Sequence, residues 1–272
     1  MSDLYGSDAY SPVEIARRIE SVGEAKARLG LWPLALLGVL AGAFIGLGAM
    51  LFVLVKSDAS LGFATSALLG GLVFSMGLLM VVVAGAELFT GNNLIVMAWA
   101  DGRIGALQVL RNWGVVCLAN GVGAAGLAVL VFASGHTDLN GGAVGQQVVK
   151  MALAKQELSF GTALVRGILC NILVCMAVWM ALAGRSVVDK AVAVVFPIMA
   201  FVAAGFEHSI ANMYILPLAM LLQGAGVAAD GALVSWAGLL GNLVPVILGN
   251  LLGGAGLVGL VYWVIYLRQP RV

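Results

Sequence analysis

No charged side chain interrupts residues 231–267, and residues 31–55, 112–135 and 167–184 are equally free of charge. A helix crosses the hydrocarbon core of a bilayer with about 20 apolar residues, so each of these runs is read as one membrane span. Two further runs are harder to place. Residues 59–100 are uncharged except for Glu87, and residues 191–229 except for Glu207 and the titratable His208. Each is too long for one straight helix and too short for two helices with a turn between them. The expected solution is a span broken near its middle, with the glutamate at the break. Composition agrees: 10% of the residues are charged and 62% hydrophobic, whereas a soluble domain carries about a quarter charged residues. The chain is therefore expected to be an all-α integral membrane protein of six transmembrane helices, with helices 2 and 5 broken near the midplane.

Basic residues collect on the cytoplasmic side of short loops. With both termini inside, Arg17, Arg18, Lys26, Arg28, Arg103, Arg111, Arg185, Lys190, Arg268 and Arg271 lie inside, and only Lys56, Lys150, Lys155 and Arg166 lie outside. Both termini are thus expected in the cytoplasm. Near the N-terminus, Ser11-Pro12-Val13-Glu14 reads as a capping box with proline at the first helical position. Ile15, Ile19, Val22 and Leu29 follow at helical spacing with Arg17, Arg18 and Lys26 between them, as in an amphipathic helix lying on the cytoplasmic interface; the plainer reading is a solvated linker helix. The organisation expected is a cytoplasmic segment 1–30, a channel domain 31–268 and a short cytoplasmic tail 269–272. The polar first 30 residues do not read as a cleavable signal peptide. Cys117, Cys170 and Cys175 sit inside apolar runs and read as packing residues rather than a disulfide framework. A net charge of +1 gives no sign of a nucleic-acid partner.

The chain also repeats itself. Displaced by 120 positions, VAGAELFTGNNLI (83–95) falls on AAGFEHSIANMYI (203–215), so that Ala84, Gly85, Glu87, Asn92 and Ile95 meet Ala204, Gly205, Glu207, Asn212 and Ile215. Displaced by 130, NWGVVCLANGVGAAGL (112–127) falls on NLVPVILGNLLGGAGL (242–257), pairing Asn112, Asn120 and Gly123 with Asn242, Asn250 and Gly253. The two halves, about 31–135 and 160–268, hold three spans each. An odd number of spans makes the second half enter from the opposite side, so the repeat is expected to be inverted about an axis in the membrane plane.

Such an axis brings the two breaks together. Non-helical backbone at that depth is tolerated only where protein buries it or it lines a polar cavity, and half-helix N-termini suit an anion. Glu87 and Glu207 are expected to accept bonds from freed backbone N–H groups or to pair with a polar neighbour; direct contact with a transported species is the alternative. Asn92 and Asn212 are read as amides that satisfy backbone at the breaks. His208 departs from the repeat, because its counterpart is Leu88. An intramembrane ionisable group is a functional candidate, against the plainer reading of a hydrogen-bonded core histidine. His136 falls in a loop and is read as solvated. Asn120 and Asn250 read as interhelical hydrogen bonders, and Gly249 and Gly253 as a close-packing pair. With one histidine among the spans, no haem, metal site or other cofactor is expected, and no enzyme motif is present.

Four stretches in order, AELFTGN, NILVCMAVWMAL, GFEHSIAN and NLVPVILGNLLGG, closely resemble the formate/nitrite transporter family, and the likeness covers nearly the whole chain. The resemblance implies a homopentamer in the lipid bilayer, bacterial inner membrane included, each protomer an aquaporin-like six-helix fold with its own anion pore. It places Thr90 in the loop breaking span 2 and His208 at the pore centre, with Asn171 nearby and Glu207 and Asn212 orienting the histidine. It implies one hydrophobic constriction at Phe74, Leu78 and Phe201, a second with contributions from Leu88 and Phe89, and a basic outer vestibule at Lys155.

The preferred anion is less sharply written. GRSVVDKAVAVVFP resembles the formate channels, whereas TGN after the threonine approaches the nitrite and hydrosulfide members. Formate is the favoured reading and nitrite the alternative. A neutral-solute channel of aquaporin type is disfavoured, since the asparagine-proline-alanine signature is missing at both breaks. Imidazole titrates near neutrality, so His208 is expected either to hold a proton for a weak-acid anion or to hand it over.

Overall fold

The computed structural model describes residues 8–227 and 232–268; the expected tail 269–272 and the first seven residues lie outside the described residues. The elements are α1 (Pro12–Ala27), α2 (Leu31–Lys56), α3 (Phe63–Met80), α4 (Val96–Ala100), α5 (Ala106–Ala133), α6 (Ala143–Gln156), α7 (Phe160–Ala183), α8 (Val187–Ala203), α9 (Ser209–Gly224), α10 (Trp236–Leu251) and α11 (Val261–Tyr266). A π turn, Val81–Gly85, prolongs α3, and a π stretch, Leu252–Leu260, joins α10 to α11. Among the described residues, five rods are long and apolar enough to cross a membrane: Leu31–Lys56, Phe63–Gly85, Ala106–Ala133, Phe160–Ala183 and Trp236–Tyr266. The run expected to be the fifth span is instead two shorter helices, α8 and α9, meeting at an interruption.

Both interruptions fall where the sequence places them. After α3 and its π turn, Gly85 has φ +81°, and after α8, Gly205 has φ +70°. A side chain in this left-handed region crowds its own carbonyl, whereas glycine adopts it freely. The two breaks differ in what surrounds them. The first comes at the end of a rod long enough to cross by itself, and the chain continues only as a 3₁₀ turn, Gly91–Ile95, and the short α4. The second separates helices of 17 and 16 residues. A break near the middle of a span therefore describes the second interruption better than the first.

Helices approach closely because glycines remove the side chains between them. In the α2–α5 contact, a Cβ on Gly42 would overlap the Asn120 carbonyl and one on Gly123 the Val39 carbonyl. In the α7–α10 contact, Gly249 stands in the same relation to the Leu164 carbonyl and Gly253 to that of Ile168. In lipid, association depends on packing and buried hydrogen bonds rather than on a hydrophobic force between helices, so these contacts hold the bundle together.

Ser11 and Glu14 form the expected capping box on α1, with the Glu14 carboxylate 2.8 Å from the Ser11 N–H. The helix differs from the expected interfacial one in what it covers. Ile15, Ala16, Ile19, Gly23 and Ala27 are buried against protein, chiefly the first break, α4 and α7. Glu20 is buried with them and pairs with Arg103 at 2.7 Å, while Arg103 also holds Asp101 at 3.1 Å. One Glu20 oxygen, Oε1, has no hydrogen-bond partner. Burial, and then the Asp101 carboxylate beside it, push the Glu20 pKa up to about 7.

Two outcomes follow from this packing. Gly123→Ala should cost about 1–3 kcal/mol through overpacking, whereas Gly126→Ala, where a Cβ meets open space, should be neutral or slightly stabilising; thermal melting in detergent compares them. The raised Glu20 pKa means that docked α1 binds a proton that the undocked helix releases. Docking is thus strongest in acid, and that gain disappears as pH rises through about 7. Protection factors of the α1 amides, that is, exchange corrected for the intrinsic base-catalysed rate, should be lower at pH 8 than at pH 5.5, and Glu20→Gln should remove the difference.

Candidate functional site

Backbone at each break is tied down by one set of contacts, and the two sets correspond residue by residue. At the first break, the Asn120 side-chain amide donates to the Gly38 carbonyl at 2.7 Å and the Glu87 carbonyl at 2.9 Å, and its oxygen accepts from the Phe89 N–H at 2.8 Å. At the second, Asn250 donates to the Gly167 carbonyl at 2.9 Å and the Glu207 carbonyl at 3.1 Å, and accepts from the Ser209 N–H at 3.1 Å. The Glu87 N–H reaches the Leu37 carbonyl at 3.2 Å, and the Glu207 N–H reaches that of Arg166 at 3.3 Å. Asn120 and Asn250 thus tie irregular backbone to neighbouring helices, which water does elsewhere.

The glutamates follow the second of their expected roles. Glu207 bonds the Lys155 ammonium at 2.8 and 3.0 Å and the Asn212 amide at 2.6 Å. Asn212 then bonds Asn242 at 2.7 Å, and the Asn242 amide returns to the Lys155 carbonyl at 3.0 Å. Glu87 is held likewise by Lys26 at 2.9 Å and Asn92 at 2.7 Å; Asn92 bonds Asn112 at 3.0 Å, and Asn112 returns to the Lys26 carbonyl at 3.4 Å. Lys26, in α1, is the residue that sequence reasoning missed as part of a site. Its sequence signal is a displacement of 129 positions onto Lys155, and both lysines lie outside the spans that carry the repeat. Asn112 and Asn242, which match within the repeat, belong to the same two clusters.

His208 stands where the breaks meet. Its Nδ1 accepts the Ala211 N–H at 3.2 Å and so caps α9, and its Nε2 lies 3.1 Å from the Thr90 hydroxyl. An acceptor Nδ1 leaves the proton on Nε2, so the imidazole is the neutral Nε2–H tautomer, able to donate to Thr90. Glu207 makes its bonds to Lys155 and Asn212, and it is the helix cap and Thr90 that fix the ring. The Asn171 amide reaches Asn93 at 2.8 Å, the Asn250 carbonyl at 2.7 Å and the Thr90 carbonyl at 3.3 Å, so it joins the two breaks from behind Thr90. Its Oδ1 is buried without a partner, as is the Ser209 hydroxyl.

Cavities open toward this point from both sides. One, of about 330 Å³, is lined by Lys26, Leu78, Glu87, Leu88 and Asn92 among others. The other, of about 220 Å³, is lined by Phe74, Lys155, Phe201, Glu207 and His208 among others. The Phe74 and Phe201 rings pack edge to face at 5.7 Å, and Phe201 stacks on His208 at 5.8 Å. Leu78 lines the cavity on the α1 side with Leu88, while Phe74 and Phe201 line the one on the α6 side. Phe89 is buried and lines neither cavity. Among the described residues no group of three or more His, Cys, Asp or Glu side chains is placed to hold a metal.

Two cavities, each with a buried ion pair in its wall, inside a bundle of helices long and apolar enough to cross a membrane fit a membrane channel or transporter. The chain belongs to the formate/nitrite transporter family, whose model matches residues 13–264. It is 38% identical over 274 residues to the formate channel FocA of Escherichia coli, covering 96% of each chain. To the formate channel FocA of Haemophilus influenzae it is 40% identical over 268 residues, covering 93% of each. Among solved structures it resembles a pentameric formate channel with formate bound, at TM-score 0.80 and 36% identity over 88% of this chain and 98% of that one.

Both members of each ion pair are largely buried, with side-chain exposures of 15% for Lys155 and 4% for Glu207. Removing one partner of a buried pair leaves an uncompensated charge, at about 3–5 kcal/mol. Glu207→Leu should therefore be strongly destabilising, and Lys155→Met combined with Glu207→Leu should recover most of the loss. Additive losses in a double-mutant melting cycle would show that the pair does not act as a unit.

Proposed function

We propose that this protein conducts formate across the bacterial inner membrane, each protomer of a homopentamer carrying its own pore. The α1 face is the cytoplasmic one, with both termini there. The paired bonding at the breaks supports a reading of six spans in two inverted halves, with α8 and α9 together forming the fifth. It also supports extending the repeat to α1 and α6, which supply the two lysines. The likeness to formate channels favours formate.

The observation that carries this reading is the contact of His208 with Thr90, beside two cavities that each hold a lysine–glutamate–asparagine cluster. An anion entering a cavity meets the N–H donors of an ammonium paired with its glutamate, which replace part of the anion's hydration. The passage of Phe74, Phe201, Leu78 and Leu88 offers no such replacement, and an unpaired ion there loses several kcal/mol of solvation. Between them, the Nε2–H of His208 can turn from the Thr90 hydroxyl to a carboxylate oxygen. Protonation of the ring at Nδ1 breaks the bond from the Ala211 N–H, so charging the imidazole costs the cap of α9. The charged state is therefore reached when an anion is present to compensate it. With a proton taken at Nδ1 from water in the α6-side cavity, the one passed from Nε2 to formate lets neutral formic acid cross the apolar passage; the ring is left neutral with its proton on Nδ1, and exchange of that proton with cavity water, with one regained at Nε2, restores the tautomer that caps α9.

Proteoliposome uptake of labelled formate and of nitrite, with external pH varied, tests the assignment; nitrite flux without formate flux would favour the alternative anion, and glycerol flux alone an aquaporin-like channel. His208→Asn retains a side chain that can cap α9 but removes the titrating proton. The variant should assemble as the wild type does and lose the pH-dependent part of formate uptake. Wild-type rate and pH profile in that variant would reduce His208 to a helix cap.

A further inference from the structure

Matching of the two breaks exposes one charge that has no counterpart. The Glu207 N–H is bonded to the carbonyl of Arg166 and the Glu87 N–H to that of Leu37. Next in each chain, Gly167 and Gly38 accept from Asn250 and Asn120. Arg166 therefore occupies, on the α6 side, the position that Leu37 holds on the α1 side. It is exposed and lines the α6-side cavity, and no carboxylate among the described residues lies within ion-pairing distance of it.

Lys155 does not supply the field expected of it, because Glu207 neutralises it at 2.8 Å. On the α1 side, Lys26 and Glu87 cancel in the same way, and they are the charged residues lining that cavity. The lining of the α6-side cavity thus carries one positive charge that no lining carboxylate neutralises. We propose that Arg166 collects monovalent anions at the α6-side mouth, so that its charge lowers half-saturation from that face and not from the other. The inference rests on reading the protein as a channel for small anions. A passive pore still carries no net flux between equal electrochemical potentials, so the asymmetry lies in concentration dependence and not in direction.

Right-side-out and inside-out membrane vesicles present the two mouths separately to labelled formate and, in parallel, to nitrite. At about 10 mM ionic strength, where the Debye length is about 30 Å, Arg166→Gln should raise half-saturation from the α6 face about threefold or more. Half-saturation from the α1 face should be unchanged, with the maximal rate divided by half-saturation staying equal from the two faces as a passive pore requires, and Arg166→Lys should behave as wild type. At about 1 M salt, where that length is about 3 Å, the variants should converge. Equal shifts in half-saturation at both faces, a shift that persists in high salt, or a lysine variant as impaired as the glutamine variant would overturn the role of Arg166. Wild-type vesicles that carry nitrite and not formate would overturn the formate reading instead, and the variants would then be compared on nitrite.

Discussion

Two buried carboxylates, each clamped by a lysine from a separate helix, are the interactions on which the rest of the structure depends. A glutamate in the middle of an apolar run is very costly unless it is paired and fully hydrogen-bonded. Here each meets an ammonium and an asparagine, and a second asparagine closes the ring to the lysine's own carbonyl. The clamp positions the break, because the glutamate N–H and carbonyl are also tied to neighbouring helices. It also anchors α1 and α6, which lie outside the long apolar rods. Interrupted backbone, polar cavity and peripheral helix are in this way consequences of one satisfied charge.

Correspondence between the breaks makes the departures from it informative. His208 stands against Leu88, so the two breaks share a single titratable side chain where they meet, and Thr90 from the other break completes its bonding. A second imidazole at that point would set two like groups together in an apolar site, where charging either one would be harder. Arg166 stands against Leu37, and the short α4 stands where the second break has the full α9. The common bonding builds the scaffold, and the unmatched residues give the pathway its chemistry.

The neutral tautomer of His208 links scaffold and chemistry. One nitrogen terminates a helix and the other faces the passage, so the protonation state of the ring and the integrity of the α9 cap are coupled. Imidazole is suited to such coupling because its two nitrogens have distinct partners and titrate near neutrality.

By itself the sequence determined the helical membrane character, the two interruptions and the correspondence between halves. Those features rest on local quantities: apolar length, isolated glutamates in uncharged runs, left-handed glycines and identical residues at fixed displacement. It also singled out His208, since one imidazole amid apolar residues is visible in one dimension. Tertiary structure decided which charges meet. Lys26 looked like one more basic residue on an interfacial helix, and only folding α1 onto the first break made it the partner of Glu87. Lys155 looked like a free vestibule charge until Glu207 neutralised it. That Leu78 and Phe74, one turn apart on the same face of α3, line different cavities was likewise invisible, because it depends on where neighbouring helices close around that face. Electrostatic pairing and pore lining depend on distances between residues 52 or 61 positions apart, and no local pattern encodes those.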